Sequence, residues 1–520
     1  MEKELRILKS AGLIGLVTTL SRILGYVRDA ALAWVLGASS SMDAFAVAYR
    51  LANLFRRLVA EGAMSAAFVP VFVQYRGEHT QGELWEFARK FFYTLALAAG
   101  TIVLLEIIFA PFIVRLMAPG FFKVEGKWEL TILLTRLMAP YLIFVALTAF
   151  LMGVLNSFGY FAVPALGPVF FNLAVIAAAF SFGQWTEEPT IGIAFGVLLG
   201  GVLQFVSQLP LAAKQGMCFQ IGFSFHHPAI RKVGILLAPS IFGVGIVQIN
   251  LLVDSLMASL LREGSVSQIY YADRVMELAL GIFVVSLTTV TLPEMAQSVA
   301  RKNIEELKQT MLFTLRTISF ITIPATVGLF LFADPIVHVL FERGRFSNID
   351  TERTAVALAY YALGLSFISA VKFLVSAFYA LQDTKTPVKV AVVVLITNAI
   401  LNWIFMHPLK QGGIALATSL ASALSFFLLL FIFQRRHGAF EWGTFRESLI
   451  KIVIASIAMG ILCLVVLKIL RFDVNQPFQW KVISLFGTIG FGILIYLGCA
   501  ALLKMRELSF FKKFRLRSSE

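Results

Sequence analysis

The stretch SMDAFAVAYRLANLFRRLVAEGAMSAAFVP, Ser41–Pro70, has the apolar length to cross a bilayer, yet it carries Asp43, Arg50, Arg56, Arg57 and Glu61. At 100° per residue, Asp43, Arg50, Asn53, Arg57 and Glu61 fall near one stripe of a helix. A central Arg costs about 2.5–3.5 kcal/mol on insertion scales, so such a stripe faces a protein interior or a wet cavity. A guanidinium is planar, permanently charged and binds phosphate oxygens two at a time. Arginines inside a membrane therefore suit an anionic, phosphate-bearing substrate. A cation exporter would show the opposite balance, with unpaired carboxylates dominating the cavity.

Other stretches repeat the theme. SRILGYVRDA places Arg22 near mid-membrane and Arg28 about 9 Å further along the same helix. Arg22, Gly25 and Asp29 share a face. Arg28 either snorkels outward and pairs with Asp29, or joins the interior charges. YYADRVMELALG aligns Tyr270, Arg274 and Glu277 on one stripe, with Asp273 four residues before Glu277. Asp43, Asp273 and Glu277 are carboxylates able to hold the guanidiniums in place. Arg57 and Glu61 are spaced for a helical ion pair. Asp254, near Gln248 and Asn250, is either a monovalent-cation or proton site or a hydrogen-bonded core residue. Lys372, among Ser366, Ser369 and Ser376, is a further internal cation.

The elements that must position these residues are membrane helices. The 520 residues are 59% hydrophobic and 14% charged, with mean hydropathy +0.84, which excludes a soluble enzyme. Helices needing about 20 residues to span are expected near 11–36, 42–73, 87–117, 129–155, 161–182, 190–213, 233–261, 266–298, 310–341, 354–381, 387–407, 411–434, 448–470 and 478–503, fourteen crossings in an all-α polytopic fold. Arg22, Arg28 and Asp29 in the first segment argue for a retained helix over a cleaved signal. Lys and Arg concentrate in alternate loops and in the tail, which puts both termini on the inside. The net charge of +14 is spread over short loops, fitting lipid headgroups better than nucleic acid.

Comparing residues about 225 positions apart reveals a repeat. Ser41–Leu54 lies over Ser265–Leu278, so Arg50 falls on Arg274, and Asp29 falls on Asp254 with one gap. An even number of helices separates the copies, so the repeat is parallel: an N-lobe over 1–218, a C-lobe over 219–437, and two further helices with a basic tail over 438–520. Cys218, Cys463 and Cys499 form no CxxC, and His226-His227 stands without other metal ligands. No P-loop, HExxH, GxSxG or dinucleotide fingerprint occurs in context, and neither a resident metal nor a cofactor is expected.

The motifs SRILGYVRDA, DAFAVAYRLANLFRRLVAEGAMSAAFVP, YYADRVMEL followed by Leu292-Pro293, and YALQDTKTPVK (Tyr379–Lys389) resemble the MurJ (MviN) family of bacterial lipid II flippases. That family belongs to the multidrug/oligosaccharidyl-lipid/polysaccharide exporter superfamily, and the resemblance covers essentially the whole chain. It implies transport of the undecaprenyl-pyrophosphate-linked peptidoglycan precursor, lipid II, from the inner to the outer leaflet of the cytoplasmic membrane by alternating access. It implies functional sensitivity at Ser21, Arg22, Arg28, Asp43, Arg56 and Arg274, with Asp29, Asn53, Glu61, Asp273 and Glu277 in the same motifs. The stripe favours Arg57 where the motif favours Arg56, and Arg50 replaces a frequent Lys. The final helix pair is implied to border a groove for the lipid tail. Membrane lipids and other cell-wall synthesis proteins are the implied partners. The driving force is Na+ or H+, for which Asp254 is the fitting residue, or the membrane potential. A flippase for another polyprenyl-linked glycan and an ion-coupled small-molecule exporter are the alternatives.

Overall fold

The structure, a computed structural model, describes residues 2–58, 64–181, 188–224, 227–470 and 476–508. Side chains of 2–14, 55, 65–66, 238–244, 246–247, 280–286 and 289–290 also lie outside the description. The described residues form α-helices joined by short turns, with no strand among them. Packing divides the chain into two compact units, Met1–Ser267 with Arg343–Phe346, and Gln268–Glu342 with Ser347–Glu520.

The first unit contains α1 (Glu2–Leu36), α2 (Ser40–Arg56), α3 (Met64–Glu78), α4 (Gln81–Met117), α5 (Lys127–Met138), α6 (Tyr141–Ser157), α7 (Ala162–Phe180), α8 (Pro189–Val206), α9 (Leu209–Lys214) and α10 (Pro228–Ser259). Its first three residues of α11 (Ser265–Ala300) are followed by the second unit: the rest of α11, then α12 (Ile304–Leu331), α13 (Ala333–Phe341), α14 (Asn348–Ala380), α15 (Lys385–Leu409), α16 (Gln411–His437), α17 (Trp442–Ile469) and α18 (Phe478–Leu502).

Helix starts follow local chemistry. Thr80 with Glu83, and Ser347 with Asp350, form reciprocal capping boxes for α4 and α14. The repeated segments both open a helix shortly after a glycine at positive φ, Gly37 (φ +64) before α2 and Gly264 (φ +82) before α11. Four expected spans are interrupted. The span 129–155 divides between α5 and α6 at Pro140, which has no N–H to continue the ladder. The spans 190–213 and 310–341 divide around Ser207–Gln208 and at Phe332, and α2 ends at Arg56 before α3 begins at Met64.

Among the described residues, ten segments, including α5 with α6 and α8 with α9, are long and apolar enough to cross a membrane on their own. In the first unit, stacked rings of Phe68, Phe72, Phe87, Phe91 and Phe150 from α3, α4 and α6 form the core. Gly196 and Gly200 on α8 leave no room for a Cβ against α7, so these two helices meet backbone to backbone. Packing and repeat divide the chain differently: the repeat boundary at 218/219 assigns α10 to the C-terminal copy, whereas α10 packs on α3 and α4 in the first unit.

In the second unit, Phe373, Phe378, Phe433 and Met311 close the core between α12, α14 and α16. The last two helices are integral to it, α17 packing on α12 and α18 on α13. Past α18, the buried carboxylate of Glu507 accepts from Nε and NH2 of Arg316 on α12, both at 2.8 Å.

Candidate functional site

The charged residues of α1 and α2 are held by partners that arrive from distant sequence. Arg28 is buried, so it does not snorkel. Its Nε and NH2 donate to Asp29 Oδ1 at 3.0 and 2.8 Å, and its NH1 donates to Asn172 Oδ1 at 3.1 Å and to the Tyr49 hydroxyl at 3.3 Å. The guanidinium carbon sits 5.7 Å from the Tyr49 ring centre and 5.9 Å from that of Phe171. Asn172 Nδ2 in turn donates to the Ser21 carbonyl at 3.1 Å, tying α7 to α1. A charge-assisted network of this kind fixes a guanidinium's position.

Asp43, in the first turn of α2, is 1% exposed and has both oxygens occupied. Oδ2 accepts from Lys127 Nζ and from the Gly264 N–H, each at 2.8 Å. Oδ1 accepts from the Ser267 N–H at 2.8 Å and its hydroxyl at 2.7 Å. Lys127 also stands 4.2 Å from the Phe121 ring centre. The carboxylate thus caps the first turn of α11 and latches α5 to α2, leaving no lone pair directed at a substrate. Further down α2, Arg50 NH1 donates to the Ser255 hydroxyl and to the Leu251 carbonyl of α10. Arg56 Nε donates to Asn53 Oδ1 at 2.7 Å. Arg56 and Arg57 are both half-buried, so exposure does not separate them, and Glu61 lies outside the described residues.

In the second unit, Arg274 NH1 donates to Glu277 Oε2 at 2.5 Å, and its guanidinium stands 5.0 Å from the Tyr270 ring centre. Glu277 therefore pairs with Arg274 three residues away; Asp273 is half-buried beside them. Asp254 is buried on α10 beside Ser255 and near the buried Gln248 and half-buried Asn250. Lys372 is exposed on α14. Arg22 is exposed on α1, while Asp29, expected on its face, is buried. Among the described residues the Arg22 guanidinium has no hydrogen-bond or ion-pair partner. Ser21 contributes its backbone carbonyl, not its hydroxyl, to the Asn172 contact.

Sequence reasoning missed Tyr49, Lys127, Asn172 and Ser255, the groups that anchor the expected site residues. Leu155–Asn172 lies over Leu381–Asn398 at nearly the same offset as the repeat, both ending in Asn, a signal that could have marked Asn172; Lys127 reads as an ordinary loop lysine. Chemically, the first unit offers Arg22, an exposed guanidinium without a partner among the described residues, and the second unit holds Arg274 half-buried and tied at NH1 to Glu277. Among the described residues no cluster of three or more His, Cys, Asp or Glu side chains could hold a metal.

A family model described as Lipid II flippase MurJ matches residues 32–489. The probable lipid II flippase MurJ of Vibrio cholerae is 34% identical over 96% of this chain and 97% of its own length. The lipid II flippase MurJ of Burkholderia cenocepacia is 36% identical over 82% of this chain and 83% of its own. Among solved structures, a lipid II flippase MurJ in an inward closed conformation superposes with a TM-score of 0.78 at 30% identity, covering 94% of this chain and 98% of the other. An inward-facing multidrug resistance transporter of the MATE family superposes at 0.69 with 14% identity over 80% of this chain and 94% of its own, a likeness of fold alone.

Proposed function

Because the chain belongs to the MurJ family of lipid II flippases, we propose that it carries lipid II from the inner to the outer leaflet of the cytoplasmic membrane, as a transporter and not as a catalyst. The pyrophosphate is bound by guanidiniums while the polyprenyl tail stays in lipid, and the protein exposes them alternately to the two membrane faces. Full-length similarity to named flippases supports the substrate; the observation that carries the site is Arg22, an exposed guanidinium midway along a helix and without a partner among the described residues. In the second unit, Glu277 offsets the cost of the half-buried Arg274 charge. Arg28 and Asp43 position α1, α2, α5 and α7 and act through them.

The excess of Lys and Arg in alternate loops supports a topology with both termini cytoplasmic. An inside-negative potential favours outward movement of an anion by about 2.3 kcal/mol per charge per 100 mV when the full field is crossed. The test is transport of labelled lipid II in vesicles containing the purified protein. Arg22→Ala and Arg274→Ala are expected to insert and fold normally, to lose transport, and to lose co-purifying lipid-linked precursor in native mass spectrometry. Wild-type transport by both variants refutes the guanidinium site.

A further inference from the structure

Glu106 stands apart from every charged group described above. It lies in LLEIIFAPF, the apolar second half of α4, and is only 4% exposed. Its Oε2 is buried without a hydrogen-bond partner, and among the described residues no Lys, Arg or His pairs with it. Around it Val103 packs on Ala139 and Leu142, with Ile107 and Ile143 against them.

The neighbours fix its depth. α4 and α5 run antiparallel, so with Val103 against Ala139, Glu106 is level with Thr135 and Arg136, one turn back along α5. The Thr135 hydroxyl is likewise buried without a partner. Arg136 Nε donates at 3.1 Å to the carbonyl of Ile107, the residue next to Glu106. Among the described residues of the other elements packed on α4, Lys127 is engaged by Asp43, Arg50 by α10, Arg56 by Asn53, Arg76 by the Ser157 carbonyl and Lys232 by Gln74, Lys123 and Arg231 are exposed, and α6 carries no Lys, Arg, His, Asp or Glu. On α10, Asp254 would only repel a second carboxylate.

A carboxylate ionised in such surroundings would be desolvated without compensation, and a membrane interior has no water to supply it. A metal cation would need several oxygens where the surroundings offer methyl groups. We propose that Glu106 is a proton-binding site, occupied in this conformation, whose deprotonation draws Arg136 from the Ile107 carbonyl into an ion pair. The carboxyl O–H bond breaks, the proton leaves to water, and the guanidinium balances the charge left behind. The pull falls on α5, whose other end holds Asp43 through Lys127, so proton release is transmitted to the latch between α2 and the first turn of α11. As an account of energy coupling this rests on the transport reading; the protonation itself does not.

Infrared difference spectroscopy of the full chain in vesicles tests it. At neutral pH the wild type is expected to show a protonated-carboxyl stretch that is missing in Glu106→Gln and that disappears on alkalinisation. In Arg136→Gln the band is expected to persist to more alkaline pH, because the waiting partner is gone. An imposed pH gradient at clamped membrane potential should change lipid II transport severalfold in the wild type and not in Glu106→Gln. The same neutral-pH spectrum in wild type and Glu106→Gln overturns the site, an unaltered titration in Arg136→Gln overturns the partner, and an equal gradient response overturns the coupling. If the band behaves as expected while the wild type moves no lipid II, the transport reading fails and the proton site stands.

Discussion

Asp43→Asn separates a latch from a substrate ligand. The four contacts to Asp43 all come from donors: an ammonium, two backbone N–H groups and a hydroxyl. An asparagine can keep its oxygen toward Ser267, but its amide nitrogen then faces Lys127 and the Gly264 N–H, donor against donors. The Lys127 ammonium, whose side chain is 3% exposed, is left buried with no counter-charge. Breaking a buried pair on one side costs about 3–5 kcal/mol. Replacing both partners removes the stranded charge, so Asp43→Asn with Lys127→Met should recover much of the loss, giving a coupling energy of about 2–3 kcal/mol in a double-mutant cycle. Unfolding of the purified variants, followed by intrinsic fluorescence without substrate, reads each corner of the cycle. If Asp43→Asn keeps wild-type stability and loses only lipid II binding, or if the two losses add to within about 0.5 kcal/mol, the latch assignment is wrong.

Three further outcomes follow from other sites. At Gly37 the backbone is left-handed (φ +64) and a Cβ would lie 2.5 Å from the Arg345 carbonyl oxygen, so Gly37→Ala should destabilise by more than about 1 kcal/mol, read as a lowered melting temperature, whereas Gly15→Ala on α1, with open space around it, should not. Burial raises the Asp383 carboxyl, but the Thr386 hydroxyl and amide and the Arg436 guanidinium outweigh it and hold the group below its ordinary value. Its stabilising effect is therefore complete above the usual carboxylate range of about 4 and fades as pH falls through the lower folded value; Arg436→Gln should flatten that acid limb of the stability curve. Cys218 is exposed and Cys463 buried, so a membrane-impermeant maleimide should label Cys218 in inside-out vesicles and spare it in intact cells. Labelling from the outside of intact cells would invert the topology.

The helical architecture and the charged motifs were legible because both are written locally. Apolar runs of membrane length specify helices, and an Asp29 adjacent to Arg28 or a Glu277 one turn from Arg274 is within reach whatever the tertiary fold. The anchoring groups were illegible because sequence distance hides them: Lys127 is 84 residues from Asp43, and Asn172 is 144 from Arg28. Burial likewise escaped the helical-wheel argument. It placed Arg22 and Asp29 on one face, but Asp29 is buried and Arg22 exposed, a fact of packing and not of periodicity. The break at Pro140 was readable from the residue itself, since a proline inside a long apolar run signals an interrupted ladder. Glu106 was readable too: a single carboxylate within LLEIIFAPF is costly enough in a bilayer to need a reason.

The bond from Glu507 to Arg316 bears on the order in which the chain assembles. It spans 191 residues and ends beyond the last membrane helix. Helix α12 is made 191 residues ahead of the carboxylate that matches its guanidinium, so the bond forms only once Glu507 has left the ribosome. The second unit can therefore complete this contact only after α18 has been made. A truncation ahead of Glu507 would leave the Arg316 guanidinium without this carboxylate.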